Sequence, residues 1–230
     1  MLYLDTADIA AWDDLMPTGL FHGITTNPFL AARAGLDYPD INWSDMANRA
    51  RELGAKELHV QVYGPTAGYI DWAANVYDIG KATGIETVVK IPLVEDAIRA
   101  TPAIKALGGR ILMTACYDAK QLLVAQALDA DFIAPYFGRM VEAGMEAESH
   151  LSAMAKMAET SPVDCKVLVA SIRTADQMVS LATQGHTHFT IAPTIARDLM
   201  TSAKSIEAFH AFETAVTESQ SDTCGLAPRS

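Results

Sequence analysis

A lysine inside a short apolar segment is the first residue in this sequence whose surroundings suggest chemistry. The segment 87–92, Thr-Val-Val-Lys-Ile-Pro, is β-branched and almost wholly apolar, which is typical of a parallel strand covered on both faces. Burial of an ammonium group is costly, but desolvation lowers the pKa of a lysine, and a neutral amine is a nucleophile toward carbonyl carbons. The pattern therefore suggests a Schiff-base lysine at Lys90. The alternative is a lysine whose stem reaches solvent at the strand end.

Other hydrogen-bonding side chains close short apolar segments elsewhere in the chain. If these segments are parallel strands of one barrel, their carboxyl ends meet at one mouth, where barrel active sites are found. For some of these residues the alternative explanation is that they are polar only because the strand ends there and a loop begins. The residues that end the segments are Asp5, Thr25, Thr26, Asn27, Gln61, Lys90, Thr114, Tyr136 and Ser171.

A ring of such groups would suit amine chemistry on a ketone. The carbinolamine that forms when an amine attacks a ketone must lose water, and this step needs a proton donor. Tyr136, Gln61 and Thr114 could hold one water and relay that proton. Asp5 could exchange protons with the hydroxyl groups of a sugar. The imine nitrogen would then withdraw electrons, so that a carbon–carbon bond could break or form without a metal or another cofactor.

Two arginines and a serine could bind a phosphate group beside this ring. Arg139 follows Tyr136 closely, and Ser171 and Arg173 follow the seventh predicted strand. Barrels often bind phosphate near strands seven and eight, and a guanidinium group gives bidentate contacts. The alternative for both arginines is simple solvation at the surface.

Eight alternating strand-like and helix-like units would position these residues. They fit within about 215 residues, the count and size of an α/β fold with a single (β/α)8 TIM barrel and an additional C-terminal helix. A doubly wound open sheet is the competing architecture, but no GxGxxG motif follows any strand. Helices are predicted at 44–53 with Ser44 as the N-cap, at 140–159 as one long helix and at 202–216. The predicted strands are 2–5, 22–27, 58–62, 87–92, 110–115, 132–136, 166–171 and 188–193.

Composition narrows the class of protein further. The chain has 230 residues and a net charge of −11, which argues against a nucleic-acid or anionic-membrane partner. Its three cysteines, Cys116, Cys165 and Cys224, form no CxxC motif, and no apolar stretch approaches the length of a membrane span. We therefore expect a cytoplasmic protein with one domain at 1–218 and a mobile tail at 219–230.

Six short motifs resemble the transaldolase family in order and spacing. The resemblance runs from residue 1 to about 215, and the short length is similar to the branch that contains fructose-6-phosphate aldolase. The motifs are Leu4-Asp5-Thr6-Ala7-Asp8, Ile24-Thr25-Thr26-Asn27-Pro28, Val89-Lys90-Ile91-Pro92, Thr114-Ala115-Cys116-Tyr117, Ala134-Pro135-Tyr136 with Arg139, and Ala170-Ser171-Ile172-Arg173.

The resemblance implies a role for each matching residue. It makes Lys90 the Schiff-base lysine, Asp5 the acid/base and Thr114 the residue that positions the catalytic water. Asn27, with Thr26 beside it, would bind the ketose. The phosphate would be bound by Ser171, Arg139 and Arg173. Departures from the family pattern occur at Ile172, at Met113 and in the segment 137–139, and they leave the acceptor aldehyde open.

Two positions separate the activities of this family. In the family that the chain resembles, transaldolases carry glutamate at the position of Gln61 and phenylalanine at the position of Tyr136, whereas the aldolase branch carries Gln and Tyr, as here. The resemblance therefore implies a class I aldolase that cleaves a ketose or ketose phosphate. The alternatives are a transaldolase that moves a dihydroxyacetone unit between sugar phosphates, and a sugar-phosphate-binding barrel without catalysis.

Two expectations remain, one about metal binding and one about the assembly of subunits. His186 and His188 alternate along one predicted strand, but no third ligand is near in sequence, so we expect no metal site. The resemblance implies a homo-oligomeric ring, a pentamer or decamer. Phe209 and Phe212 on the last helix would contact either a neighbouring subunit or the helix's own barrel.

Overall fold

Eight parallel strands close into a barrel in the computed structural model, which describes residues 1–220 and the side chains of residues 1–217. Each strand pairs with its neighbours in chain order, and β8 pairs with β1. The predicted α/β barrel with a further C-terminal helix is confirmed. The strands are β1 Leu2–Asp5, β2 Gly23–Thr25, β3 Glu57–Gln61, β4 Glu86–Pro92, β5 Arg110–Cys116, β6 Phe132–Pro135, β7 Lys166–Val169 and β8 His188–Ile191.

Helices follow the strands and cover the outside of the barrel. Short 3₁₀ turns lie at Met16–Thr18, Tyr38–Asp40 and Thr66–Gly68. The helices are α1 Ile9–Leu15, α2 Pro28–Arg33, α3 Trp43–Glu52, α4 Tyr69–Thr83, α5 Glu95–Lys105, α6 Lys120–Ala127, α7 Phe137–Glu142, α8 Ala147–Thr160, α9 Ala175–Thr183, α10 Pro193–Leu199 and α11 Ala203–Gln220.

Strand β4 shows how the sequence places a lysine inside the barrel. Successive side chains of a strand point to opposite faces. Val89 and Ile91 pack into the outer core beneath the helices, whereas Val88 belongs to a separate apolar cluster within the barrel. Lys90 therefore shares the inner face with Val88. It lies in register with Gln61 of β3 and with Leu112 of β5.

Two of the predicted helix boundaries are wrong. Helix α3 begins at Trp43, and its N-cap is Asn42 rather than Ser44. The Asn42 side-chain oxygen accepts hydrogen bonds of 3.2 Å from the Ser44 and Asp45 amides, which fulfils the cap requirement earlier in the chain. The predicted long helix 140–159 is two helices, because Gly144 adopts a φ of 68° that ends α7 before α8 begins.

A polar network fills the amino end of the barrel, opposite the carboxyl ends of the strands. The Glu57 carboxylate accepts a 2.9 Å hydrogen bond from the Tyr3 hydroxyl and a 2.6 Å hydrogen bond from Arg110, and it lies 2.8 Å from His59 Nε2. Burial lowers the pKa of His59 to about 4, so its imidazole is neutral near pH 7. Sequence reasoning did not foresee this network.

Three smaller predictions can also be compared with the fold. Cys116 and Cys165 are buried free thiols. Cys224 lies outside the described residues, as does the predicted mobile tail apart from its first two residues, which belong to α11. Within residues 1–220, no helix combines the length and the apolar character that crossing a membrane requires.

Candidate active site

A cavity of about 500 Å³ opens at the carboxyl ends of the strands. This is the end at which barrels place their active sites. Most of the predicted site residues line the cavity, whereas Gln61, Thr114 and Thr26 are absent from its lining among the described residues. The predicted residues that line it are Asp5, Asn27, Lys90, Tyr136, Arg139, Ser171 and Arg173.

Lys90 lies at the base of this cavity and is almost completely buried. Its side chain is part of a residue that is only 4% exposed, and Nζ donates a 2.8 Å hydrogen bond to the Thr26 carbonyl oxygen. Burial lowers the pKa of Lys90, and the neighbouring Asp5 carboxylate opposes that shift in part. The amine is therefore closer to its neutral, nucleophilic form than a lysine in solvent.

Asp5, at the end of β1, is held by Thr25, which is in turn in contact with Thr190; the sequence prediction gave neither threonine a role. Burial raises the pKa of Asp5, while the Lys90 ammonium and the Thr25 hydroxyl act in the opposite direction. Thr25 Oγ1 donates a 2.6 Å hydrogen bond to Asp5 Oδ1 and lies 2.5 Å from Thr190 Oγ1. This chain of hydroxyls fixes the carboxylate at the cavity wall. Thr25 was recognisable as a polar strand end, but Thr190 lies inside a strand.

Tyr136 and Thr114 form a hydrogen-bonded pair. Their hydroxyl oxygens are 2.9 Å apart, and burial raises the pKa of the Tyr136 phenol, so the phenol is a proton donor near pH 7. Thr114 is buried and reaches the cavity through the Tyr136 hydroxyl. Just beyond it, Ala115 has a φ of 57°, where the register between β5 and β6 shifts.

The remaining predicted residues follow β2 or end β3, and Thr26 and Gln61 make their hydrogen bonds through the backbone. The Asn27 side-chain oxygen caps α2 through a 3.0 Å hydrogen bond from the Leu30 amide. The Thr26 carbonyl oxygen accepts the hydrogen bond from Lys90 Nζ, and the buried Thr26 hydroxyl has no partner among the described residues. The backbone of Gln61 bonds to the Tyr38 hydroxyl at 2.9 and 2.7 Å. Gln61 thus adjoins Lys90 on the next strand without lining the cavity.

Ser171, Arg173 and Arg139 lie together at one side of the cavity. Ser171 adopts a φ of 63°, and its buried Oγ has no hydrogen-bond partner among the described residues. Arg173 donates to Glu142 at 2.6 and 3.3 Å. The Arg139 guanidinium carbon lies 5.0 Å from the centre of the Tyr136 ring. An anion placed here would meet two guanidinium groups and an unused hydroxyl.

Close backbone packing brings these residues together. The Phe137 and Gly138 amides donate 3.0 Å hydrogen bonds to the carbonyl oxygens of Ala170 and Ser171. A Cβ atom on Gly138 would lie 2.0 Å from the Ser171 carbonyl oxygen, so only glycine permits this approach. The start of α7 is thereby joined to the segment that follows β7.

Three further cavity residues were not predicted from the sequence. Phe29 and Arg33 belong to α2, and Glu142 ends α7. All three lie beyond the strand ends on which the sequence argument was based. They could have been found from the helical repeat, because the helix that follows each strand brings its residues back over the mouth of the barrel turn by turn.

The two histidines considered as a metal pair have other contacts. His186 Nε2 lies 3.0 Å from the Leu151 carbonyl oxygen, and His188 Nδ1 lies 2.9 Å from the Thr187 hydroxyl. Among the described residues, no three or more His, Cys, Asp or Glu side chains are grouped so that they could hold a metal ion.

Solved structures with the same fold differ widely in sequence. A mandelate oxidase structure superposes with a TM-score of 0.59 at 10% identity, over 85% of this chain and 65% of that chain. Thiamine phosphate pyrophosphorylase from Pyrococcus furiosus superposes with a TM-score of 0.58 at 12% identity, over 86% of this chain and 93% of that chain. At this identity the similarity supports the barrel fold alone.

Sequence comparison identifies nearer relatives. A probable transaldolase of Phenylobacterium zucineum is 30% identical over 203 residues, which cover 86% of this chain and 88% of the relative. A probable transaldolase of Novosphingobium aromaticivorans is 28% identical over 215 residues, covering 90% and 93% of the two chains. The family model for transaldolase/fructose-6-phosphate aldolase matches residues 2–225. With the resemblance of its motifs confirmed over nearly its whole length, the chain belongs to the transaldolase/fructose-6-phosphate aldolase family.

Proposed function

We propose that this protein is a class I aldolase that reversibly cleaves a ketose or ketose phosphate. The products are dihydroxyacetone and an aldehyde such as glyceraldehyde 3-phosphate. The observation that carries the proposal is the buried amine of Lys90, which lies in the cavity with the Asp5 carboxylate and the Tyr136 phenol. These are the nucleophile, the base and the acid that such a reaction needs.

The first stage forms an imine. The neutral amine of Lys90 attacks the ketone carbon and gives a carbinolamine. Its hydroxyl leaves as water after it receives the proton of the Tyr136 phenol, relayed through a water that Tyr136, Thr114 and Gln61 would hold. The Lys90 nitrogen then carries the positive charge of a protonated imine. Asn27 would donate a hydrogen bond from its amide nitrogen to the ketose, because its oxygen already caps α2.

The second stage breaks the carbon–carbon bond. Asp5 removes the proton from the hydroxyl group two carbons away from the imine carbon, and that carbon becomes the aldehyde. The electron pair of the broken bond moves to the imine nitrogen and leaves an enamine on Lys90. The proton that Asp5 has taken passes through the site water to the Tyr136 phenolate left by the first stage, and Tyr136 then protonates the enamine carbon. A water molecule attacks the resulting imine and gives a proton back to Tyr136 as the carbinolamine collapses. Dihydroxyacetone and the free amine are regenerated, so every proton and electron pair is accounted for.

The phosphate of a phosphorylated substrate would be bound by Ser171, Arg139 and Arg173. All three line the cavity. The Ser171 hydroxyl is buried with no partner among the described residues, and a phosphate oxygen would satisfy it. A sugar phosphate as substrate also fits the family to which the chain belongs.

Transaldolase activity is the second candidate. It is favoured by the relatives, several of which are named probable transaldolases. The same enamine would then be captured by an acceptor aldose before it is protonated. We favour the lyase because Tyr136 places a phenol hydrogen-bonded to Thr114 at the position where the family resemblance implies phenylalanine in a transaldolase.

Borohydride trapping tests both candidates at once. The protein is incubated with dihydroxyacetone and borohydride, and intact mass and peptide mapping are measured. We expect one three-carbon adduct on Lys90 in the wild type, none in Lys90→Ala, and an unchanged adduct in Lys81→Ala, which removes an exposed lysine of α4. A folded wild type that forms no adduct would contradict both activities and favour the non-catalytic barrel. If the adduct forms, a requirement for an acceptor aldose distinguishes transferase from lyase.

A further inference from the structure

An arginine that the proposed phosphate site does not include lies at the rim of the same cavity. Arg33 ends α2, and its guanidinium carbon lies 4.6 Å from the centre of the Phe29 ring. Arg139 lies 5.8 Å from the centre of that same ring. Phe29, Arg33 and Arg139 all line the cavity, so two cations share one aromatic side chain at its mouth.

Helix geometry explains this contact. Phe29 and Arg33 are four residues apart, a spacing that brings side chains together on one face of a helix. A planar guanidinium group stacks on an aromatic ring, and the contact restricts its orientation. Phe29 is 54% exposed, so burial in the core does not explain its presence. Its ring contacts the two arginines instead.

The charges of the neighbouring arginines are not equivalent. Arg173 is engaged by Glu142, because Nε and one terminal nitrogen both donate to that carboxylate. A phosphate that binds Arg173 must therefore compete with Glu142. Among the residues whose side chains are described, no carboxylate lies within ion-pair distance of Arg33. In a chain whose net charge is −11, Arg33 thus carries an uncompensated positive charge at the cavity mouth.

We infer that Arg33 is a phosphate-binding, specificity-determining residue of this site, oriented by Phe29 and acting together with Arg139. Arg33 offers the phosphate a positive charge, whereas the charge of Arg173 is already paired with Glu142. This inference rests on the proposed function, because it adds a residue to the same phosphate site. If Arg33 binds the phosphate, the protein prefers phosphorylated to unphosphorylated ketoses. This preference then depends on α2 as well as on the segments after β6 and β7.

Substrate pairs that differ only in the phosphate group test this inference. We expect Arg33→Ala to raise KM for fructose 6-phosphate about 10- to 100-fold, the value of one charge-assisted contact, without changing kcat. KM for fructose should stay the same. Arg33→Lys and Phe29→Leu should give intermediate losses, since each retains only part of the oriented charge. The control is Arg51→Ala, which removes an exposed arginine from the last turn of α3, the turn that leads to the amino end of the barrel.

A double-mutant cycle tests the role of Glu142. Glu142→Gln releases Arg173, so the loss caused by Arg33→Ala should be smaller in the Glu142→Gln background than in the wild type. Equal losses in both backgrounds would contradict the division of charge between Arg33 and Arg173. Equal effects of Arg33→Ala on fructose and on fructose 6-phosphate would overturn the phosphate role itself.

Calorimetry separates this inference from the proposed function. Binding of fructose 6-phosphate and of fructose is measured in the Lys90→Ala background, where no imine can form. Weaker binding of the phosphorylated sugar alone, on addition of Arg33→Ala, supports the inference whether or not the wild type traps dihydroxyacetone. Unchanged binding of both sugars would refute it even if trapping at Lys90 succeeds.

Discussion

Tyr136 is the residue at which the two candidate activities diverge. Its hydroxyl is 2.9 Å from Thr114 Oγ1, and burial raises its pKa, so it holds a proton that it can donate to an enamine. Phenylalanine at this position would leave the enamine waiting for an acceptor aldose. In the proposed mechanism, the phenol oxygen of Tyr136 therefore decides whether the enamine is protonated or waits for an acceptor.

We expect Tyr136→Phe to lower the release of free dihydroxyacetone on the order of 100-fold, the usual effect of removing a general acid. Transfer to an added acceptor aldose should persist or increase. Dihydroxyacetone release is measured with a coupled reductase, and transfer by chromatography of the new ketose. Full aldol cleavage by Tyr136→Phe would show that the phenol has no role in this step.

The pH dependence of imine formation reports on Asp5 and Lys90. Burial lowers the pKa of Lys90, and the Asp5 carboxylate raises it in part. Trapping with dihydroxyacetone should therefore persist below the ordinary lysine pKa of 10.5 and fall on the acid side as Lys90 becomes protonated. In Asp5→Asn the opposing carboxylate is absent, so the pKa of Lys90 falls further.

The acid limb of the trapping profile should consequently move to lower pH in Asp5→Asn. Borohydride trapping at a series of pH values measures this shift. Thr25→Val, which removes the hydroxyl contacts to Asp5 and Thr190 but keeps the Asp5 carboxylate, is the comparison variant and should retain the charge effect. A limb that moves to higher pH in Asp5→Asn would contradict the electrostatic coupling of the two residues.

Among the elements, α7 and the segment after β7 meet at a closely packed junction. Gly138 approaches the Ser171 carbonyl so closely that any side chain would displace one of the two segments. The displacement would also move Ser171 and the neighbouring Arg173. We expect Gly138→Ala to lower the free energy of unfolding by about 1–3 kcal/mol, as overpacking does, and to raise KM for phosphorylated ketoses.

Urea denaturation measures the change in stability. The matched control is Gly68→Ala, because a Cβ at Gly68 would meet no atom within 4 Å, and Gly68 has no positive φ that a side chain would strain. A change within about 0.5 kcal/mol is expected for that control. Equal stability of the two variants would show that the segments can separate without cost.

The elements also show where sequence reasoning succeeds and where it does not. That Lys90, Asp5 and Tyr136 line one cavity was predictable, because a barrel gathers the carboxyl ends of its strands. Phe29 and Arg33 were missed because they lie on a helix, beyond the strand ends. The single long helix predicted over 140–159 ignored Gly144, although glycine is a common helix terminator.

Long-range polar contacts were the least predictable part of the molecule. Glu57 and Arg110 are 53 residues apart in sequence, and nothing in the periodicity of either strand indicates that they meet. The hydroxyl contact between Thr25 and Thr190 spans 165 residues. Periodicity gives the face on which a side chain lies, but the partner across the barrel follows only from the register of all the strands between them.

At the scale of the whole molecule, α11 exposes several large apolar side chains in the described part of the chain. Ile206, Phe209 and Phe212 are 47%, 55% and 68% exposed. The helix therefore does not bury them against its own barrel, which was one of the two expectations. Exposed apolar groups of this size favour association. With the family resemblance, they predict that α11 packs on a second copy of this chain.

We expect Phe209→Asp to shift the protein toward smaller species, because a charge would be buried in the contact between subunits. Sedimentation velocity gives the masses of the wild type and the variant. Ala211→Asp adds the same charge two residues away, on nearly the opposite face of the helix, and should leave the assembly unchanged. A monomeric wild type, or equal dissociation by both variants, would contradict this packing.

The network around Glu57 has a consequence for how this barrel can change over time. Its contacts with Tyr3, His59 and Arg110 all lie at the amino end of the barrel, away from Phe29 and Arg33 at the mouth. Substitutions around the mouth therefore leave those contacts intact. In natural evolution or in a laboratory library, substitutions at the mouth can therefore change which substrate binds, while the contacts at the amino end keep the barrel closed.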